Sequence, residues 1–433
     1  MIEPGPSDVP TTGADSRQYV PLPPGERRGV ALCLSGGGYR AVLFHLGAMR
    51  RLNELGILSR VDTITSVSGG SIAAAQVATH LLDQGGWPEP GQQVPGWEDG
   101  VSGPLRAFTR TDIRTGPVLR RAHPRSWLNQ NASADALAAR YAAGPARGRL
   151  ADLPARPSFV FLATDLLFRT QWIFDTGRKL MGDERAGFAP ISDRWTLARA
   201  VAASSCLPGA FRPLSVGGDA TTLAGGTYRG DDRDELLGRV ELSDGGLYDN
   251  LGLEPVWRDH SVVLVSDAAP SFHAQPNLGA LWRFLRIVVT LLEQATDVRK
   301  RWLISGFAAG VLEGAYWGIG SLPASYAFDG GAYDPPLAVY GERLIGDLVS
   351  QIRIDLDPFS DAEIGGLENH GYLMAEIAVR RHAPQLAAEG APAPQVPHPE
   401  WMDEERLGRA LAQSYRTKMF ARRFAGASLG GPP

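Results

Sequence analysis

The sequence reads as an α/β protein, a three-layer α/β/α sandwich around a central, mainly parallel sheet. Two observations lead there. Near the start of the ordered chain, a short apolar run, a glycine turn and an amphipathic helix occur twice in succession, the mark of parallel strands joined by helical crossovers. Further along, compact apolar runs at Phe159–Thr164 and Ser261–Ser266 have the length and composition of buried strands, and helical stretches lie between and after them.

Each element has its own reason. Val30–Leu34 is a five-residue apolar run that stops at Ser35-Gly36-Gly37-Gly38. From Arg40 to about Leu55, Val42, Leu43, Leu46, Met49 and Leu52 fall on one helical stripe, and Gly56 suits the C-cap. Val61–Val67 is rich in β-branched residues and reads as a strand. It passes through Ser68-Gly69-Gly70 into a helix from Ser71 to about Leu82. Residues 83–130 are loop-rich, with Gly85-Gly86, Pro88, Pro90, Pro95 and Pro104. Thr196–Ala203 is helical in pattern. Ser360-Asp361-Ala362-Glu363 is a capping box that opens a helix to about His382. Five prolines among alanines make 384–399 a linker or edge-wrapping segment, and an amphipathic helix follows within 400–424. Residues 1–28 read as a disordered, Pro-rich tail. No internal repeat is visible.

Composition narrows the function classes. Of 433 residues, 44% are apolar and 21% charged, which leaves ample material for a core and excludes a wholly disordered chain. The 51 glycines and 32 prolines do not recur every third position, so collagen is excluded and many turns are implied. A net charge of −4 without a strongly basic stretch gives no support to a nucleic-acid partner. Cys33 and Cys206 are the only cysteines, too few for a disulfide scaffold, and they point to a reducing, cytoplasmic compartment. Cys33, on a strand, reads as inert core. Met1–Asp15 lacks a basic start and an apolar stretch and does not resemble a secretory signal. Asp231–Glu235 mixes charge signs without ligand spacing; no metal and no cofactor are assigned.

Three segments carry chemistry. Ser35-Gly36-Gly37-Gly38-Tyr39-Arg40 joins a strand to a helix, and its glycines let several N–H groups converge on one point, aided by the helix dipole. Such a nest suits an oxyanion or a phosphate; Gly36-x-Gly38-x-x-Ala41, with Glu54 downstream, also satisfies the dinucleotide fingerprint. In Ser66-Val67-Ser68-Gly69-Gly70-Ser71, a serine at a sharp strand-to-helix turn is pushed clear of the backbone, as in a nucleophile elbow. The same serines would also cap a helix, and Ser66 and Ser71 are expected to serve structure. Asp244-Gly245-Gly246, before Tyr248-Asp249-Asn250, presents a carboxylate in a tight turn, where a plain Asx turn is the commoner outcome.

Together, a triple-glycine turn, a serine elbow about 30 residues later and a distant Asp-Gly-Gly resemble the patatin-like phospholipase family. Ala203-Ser204-Ser205-Cys206-Leu207-Pro208-Gly209-Ala210-Phe211-Arg212-Pro213 is similar to that family's small-residue-then-Pro segment, and Phe161–Leu166 to its central strand. The resemblance covers about 29–270 and extends towards 382. It implies a patatin-like catalytic domain over 29–383 and a Ser–Asp dyad that hydrolyses lipid carboxyl esters. By position, Ser68 matches the nucleophile, Asp244 the general base, and the amides of Gly36, Gly37 and Gly38 the oxyanion hole, with Arg40 as the basic residue beside it. Ser35 replaces an aspartate that often precedes the glycines, and Ser66 the elbow's first glycine. Partial burial of Asp244 is expected to raise its basicity.

Rival readings remain open at this point: a nucleotide-binding protein built on Gly36–Ala41, a non-enzymatic lipid-binding protein, and a Ser–His–Asp esterase using His260 or His273. His260 reads as a surface residue, and His45 and His370 as structural. The apolar region 278–322, interrupted by glycines, is too broken for a spanning helix. It is expected to form two short helices near the active-site mouth, with Arg299, Lys300 and Arg301 towards anionic headgroups. The expected partners are a phospholipid or other acyl-ester lipid and, peripherally, the membrane surface. Headgroup preference and oligomeric state are not legible.

Overall fold

The computed structural model describes residues 22–122, 129–269, 280–328, 330–331, 333 and 336–417. In chain order these form β1 (Val30–Leu34), α1 (Gly38–Glu54), β2 (Thr63–Val67) and α2 (Gly69–Gln84). Then come α3 (Gly103–Thr109), α4 (Thr115–Ala122), α5 (Ala132–Ala142), β3 (Ser158–Asp165), β4 (Thr170–Asp175), β5 (Leu180–Asp183) and β6 (Gly187–Pro190). They are followed by α6 (Leu197–Ser204), β7 (Leu214–Ser215), β8 (Ala224–Gly225), α7 (Arg233–Leu237), β9 (Glu241–Asp244), α8 (Glu254–Trp257) and β10 (Val262–Asp267). The chain continues through α9 (Ala280–Ala308), β11 (Glu313–Gly318), α10 (Glu342–Asp347), α11 (Asp361–His382) and α12 (Glu404–Thr417).

One sheet runs in the order β11-β10-β1-β2-β3-β4-β5-β6-β8, with β9 paired to β3 and β7. The five strands from β11 to β3 are parallel; from β3 outward the pairing is antiparallel. The parallel half is flanked on both faces, which gives the three layers. On one face Leu32, Leu34 and Ile64 pack into the large core shared with α1, α2 and α11. On the other, Ala31, Cys33, Val263 and Val265 meet Val256 of α8 and Leu303 of α9. Cys33 is buried there, and burial pushes its thiol up to about 12, as an inert core residue requires.

The long first and late helices touch backbone to backbone. A Cβ on Gly47 of α1 would lie 1.9 Å from the Glu368 carbonyl oxygen, and one on Gly371 of α11 would lie 1.9 Å from that of Phe44. A buried ion pair, Arg51–Glu376 at 2.7 Å, locks the same crossing. The capping box forms as read: the Glu363 N–H donates to Ser360 Oγ at 3.3 Å and the Ser360 N–H to Glu363 Oε2 at 2.8 Å.

Three stretches differ from the sequence reading. Residues 83–130 contain α3 and α4; Pro104 is compatible with α3 because it sits in the first turn, where a missing N–H breaks no helical bond. Region 278–322 is one 29-residue helix followed by strand β11, not two short helices. Gly314, one of the glycines in that region, lets β11 approach β10: a Cβ there would lie 1.9 Å from the Val263 carbonyl oxygen. Segment 384–399 takes the second of its two expected forms and wraps the domain edge, since Arg51 holds the Pro392 carbonyl at 3.0 Å and the Gln395 N–H donates to the Tyr372 hydroxyl at 2.8 Å. Of the stretch read as a tail, residues 1–21 lie outside the described residues, while Leu22 and Arg28 donate to the carbonyls of Arg258 and Asp259, each at 2.9 Å.

Candidate active site

All the parallel strands point their C-terminal ends to one edge. β1 delivers Gly36–Gly38 there and β2 delivers Ser68; β9, lying beside β3, brings Asp244 to Ala163. Residues far apart in sequence therefore converge because of strand order.

Ser68 sits at φ 50° and ψ −115°, a backbone state that non-glycine residues rarely adopt and that costs of the order of 1–3 kcal/mol. Its surroundings impose it. The Ser68 N–H donates to Ser204 Oγ at 3.0 Å. Gly69 and Gly70 then press against neighbouring backbone, where a Cβ would lie 2.2 Å from the Gly38 carbonyl oxygen and 2.4 Å from that of Leu34, respectively. Ser68 stays partly exposed while Ser66, Gly69, Gly70 and Ser71 are buried. Ser66 and Ser71 are structural, as read: Ser71 Oγ donates to Ser66 Oγ at 3.1 Å and meets Ser204 Oγ at 2.8 Å. Ser204 was legible only as part of a run of small residues; nothing local marks it as the partner of the elbow.

Asp244 is 5% exposed. Its N–H donates to the Cys206 carbonyl at 3.1 Å, its carbonyl accepts from Thr164 Oγ1 at 2.8 Å, and its Oδ1 accepts the Gly246 N–H at 2.8 Å. Burial pushes the carboxyl up to about 6; hydrogen bonds from the Gly246 amide and the Ser68 side chain pull the other way. The turn is thus an Asx turn, and it also holds a carboxyl of raised basicity next to the elbow serine.

The glycine loop is only partly as expected. The Gly36 N–H is committed to the Asn250 carbonyl at 3.2 Å, because the 249–252 turn packs directly on the loop. Asn250 Oδ1 would lie 2.4 Å from a Cβ on Gly36 and 2.7 Å from one on Gly246, and Ser68 Cβ 3.2 Å from that on Gly36. Asn250 is therefore a wall of the site that spacing alone did not reveal. Among the described residues, the Gly37 and Gly38 N–H groups donate to no protein acceptor, and Gly37 is partly exposed. Arg40 is buried, and its guanidinium donates to the carbonyls of Ala268 (2.6 Å), Ile352 (3.0 Å) and Ser350 (3.4 Å). It ties the loops around the nest together.

The histidines lie elsewhere. His45 is buried between Ser266 Oγ (2.7 Å) and the Ser35 carbonyl (2.9 Å), and burial drives its pKa down to about 4, so it is neutral. His370 contacts the Ile319 carbonyl at 2.8 Å and is likewise lowered to about 4 by burial. His260, read as a surface residue, is wedged between Asp259 Oδ1 (2.7 Å) and Thr63 Oγ1 (2.9 Å), at the N-terminal end of β2. His273 lies outside the described residues. A cleft of about 310 Å³ at that end, lined by Thr63, Ser158, His260, Trp257 and Arg299, contains neither Ser68 nor Asp244.

The basic triplet before Trp302 is also differently placed. Arg299 pairs with Glu254 at 2.6 Å, and Lys300 pairs with Asp267 at 2.8 Å. These two pairs anchor α9 to the domain, and Arg301 is exposed.

The human GIVD cytosolic phospholipase A2 is similar at 14% identity and a TM-score of 0.35, with 57% of this chain and 46% of that chain covered. VipD from Legionella pneumophila is similar at 12% identity and a TM-score of 0.34, with 93% and 77% covered. The chain thus spans less than half the length of the human protein. No curated protein sequence matches. The family described as patatin-like phospholipase matches residues 32–257, just over half of the chain and a span that includes Ser68, Asp244 and the glycine loop. The chain belongs to the patatin-like phospholipase family.

Proposed function

We propose that the protein hydrolyses lipid carboxyl esters through a Ser68–Asp244 dyad. The observation that carries this reading is the pairing of a strained, partly exposed serine with a buried carboxyl whose pKa is raised to about 6. Ser68 Oγ attacks the ester carbonyl carbon while Asp244 accepts its proton. An ordinary carboxylate is a poor base for an alcohol; burial brings Asp244 closer to the working pH. The carbonyl oxygen, negative in the tetrahedral intermediate, faces the uncommitted amides of Gly37 and Gly38 at the N-terminus of α1, and each essential donor of this kind contributes about 3–4 kcal/mol. The intermediate collapses, the alcohol leaves with the proton from Asp244, and water activated by the same carboxylate releases the acyl group.

The engaged ring nitrogens of His260, and its place at the other end of the strands, favour the dyad over a triad. The nucleotide reading of the glycine loop is disfavoured by the commitment of the Gly36 amide to Asn250 and of the Tyr39 amide to Asp355. Glu54, the acidic residue downstream of that loop, is engaged by Arg51 at 2.9 Å. No described helix is long and apolar enough to cross a membrane, so contact with lipid would be peripheral. Hydrolysis of a phospholipid and of a short-chain nitrophenyl ester by the wild type, Ser68→Ala and Asp244→Asn tests the reading. Loss of both activities in both variants is expected, and equal turnover by all three contradicts it.

A further inference from the structure

We infer that His45 is a positioning residue for the oxyanion amides: its ring grips the peptide unit that opens the glycine turn and so aims the Gly37 and Gly38 N–H groups. The inference rests on the ester-hydrolysis reading above and deepens it, because it says what holds a three-glycine turn in one conformation.

The turn needs an outside restraint. Gly36–Gly38 have no side chains to fix their peptide planes, and Gly37 and Gly38 stand at φ of +149° and +58°, where only glycine moves freely. Donors that stabilise a developing negative charge act by being held in place before the reaction begins. The hold must therefore come from the groups that bind these peptide units.

A peptide unit is planar and trans, so its C=O and N–H point in opposite directions, and holding one aims the other. The Ser35–Gly36 unit is gripped at both ends. Its carbonyl accepts from His45 Nε2 at 2.9 Å, and its N–H donates to the Asn250 carbonyl at 3.2 Å. The Gly36–Gly37 unit is held at its carbonyl, which accepts from Ser35 Oγ at 3.3 Å, so the Gly37 N–H faces the other way. In the Gly37–Gly38 unit the carbonyl accepts the Ala41 N–H at 3.3 Å, which turns the Gly38 N–H outward from α1. His45 anchors the first plane of this series.

The state of the ring follows from its partners. A carbonyl oxygen only accepts, so Nε2 carries the proton. Burial lowers the pKa to about 4, so at neutral pH Nδ1 is bare and accepts the Ser266 Oγ–H at 2.7 Å. Ser35, His45 and Ser266 are all fully buried, which shields these bonds from solvent. Ser266, near the end of β10, is tied to the same turn. Its carbonyl accepts the Ser35 N–H at 3.2 Å, and two residues later the Ala268 N–H donates to Ser35 Oγ at 2.7 Å. One neutral ring thus joins α1, β10 and the glycine turn. An apolar residue of similar size would fill the space without gripping the carbonyl.

The test is steady-state hydrolysis of a soluble short-chain nitrophenyl ester, with thermal melting as the check on folding. Glutamine and asparagine are the informative pair: the first places an amide nitrogen where Nε2 stands, the second where Nδ1 stands. His45→Gln should keep kcat within about threefold of wild type. His45→Asn and His45→Leu should lose about tenfold to a hundredfold in kcat, the upper figure being the scale of one lost oxyanion donor, with KM changed by less than about twofold. Ser266→Ala, which frees the ring to take its other tautomer, should fall between. A second readout does not depend on turnover. Long-range 1H–15N spectra of histidine-labelled protein at neutral pH, with His45 assigned by its absence in His45→Gln, should show a neutral ring protonated on Nε2. Equal kcat in wild type and all four variants overturns the positioning role, as does a proton on Nδ1. A loss shared by His45→Gln, His45→Asn and His45→Leu also overturns it and assigns the ring to packing. Absence of ester turnover by the wild type would instead remove the hydrolase reading, and the oxyanion role of His45 with it.

Discussion

Replacing Asp244 with asparagine should abolish hydrolysis and, at neutral pH, make the protein more stable. The carboxyl is 5% exposed and its pKa stands at about 6, against an ordinary 3.8. At 1.36 kcal/mol per unit, keeping it ionised in the folded chain costs roughly 3 kcal/mol. The sign follows from proton linkage: the folded state binds this proton more tightly than the unfolded one. The contribution of Asp244 is therefore most favourable below about pH 4 and declines as pH rises through about 6, then stays constant. Asparagine is neutral throughout, and its side-chain oxygen can still accept the Gly246 N–H. Urea denaturation of wild type and Asp244→Asn at about pH 8 should show the variant more stable by about 3 kcal/mol, with the difference shrinking towards about pH 4. The wild-type kcat/KM should rise with pH along a limb centred near 6, because the base must be deprotonated. Equal stabilities at the higher pH, or a gain that does not depend on pH, would refute the claim that burial tunes this carboxyl.

Other consequences concern the frame. Ser204→Ala leaves the Ser68 N–H without its acceptor, so a stability loss of about 1–3 kcal/mol and a fall in kcat larger than any change in KM are expected from denaturation and steady-state kinetics. Gly38→Ala would place a Cβ 2.7 Å from the Asp355 carbonyl oxygen at a φ of +58°, shifting the Gly37–Gly38 amides; ester hydrolysis should drop by about a hundredfold, the scale of one lost oxyanion donor. Glu376→Ala removes the buried acceptor of Arg51 Nε at the α1–α11 crossing and leaves Glu54 as the remaining carboxylate partner, so a loss of about 1.5–3 kcal/mol is expected by chemical denaturation, while the activity per folded molecule at low temperature holds.

The sequence made the site legible where the chemistry is local. Triple glycine, serine elbow and Asp-Gly-Gly are each contiguous turns with demanding backbone geometry, so residue type alone betrays them; the capping box at Ser360 is legible for the same reason. Contributions assembled across the chain were not. Ser204 and Asn250 reach the site only because α6 and the turn after β9 fold onto it, and no periodicity encodes that. The Gly36 amide looked available until Asn250 claimed it. The antiparallel strands β4 to β9 are two to six residues long, too short for a period-two pattern to stand out in the sequence. In 278–322, glycine was read as a helix breaker, whereas at Gly314 it serves close strand contact.

The most direct test of the dyad is reaction with a fluorophosphonate ester, followed by peptide mass mapping of the intact chain. A single phosphonyl adduct on Ser68, lost in Ser68→Ala and formed far more slowly in Asp244→Asn, is the predicted result. An adduct on another residue, or labelling of Ser68 at the same rate without the Asp244 carboxylate, would contradict it.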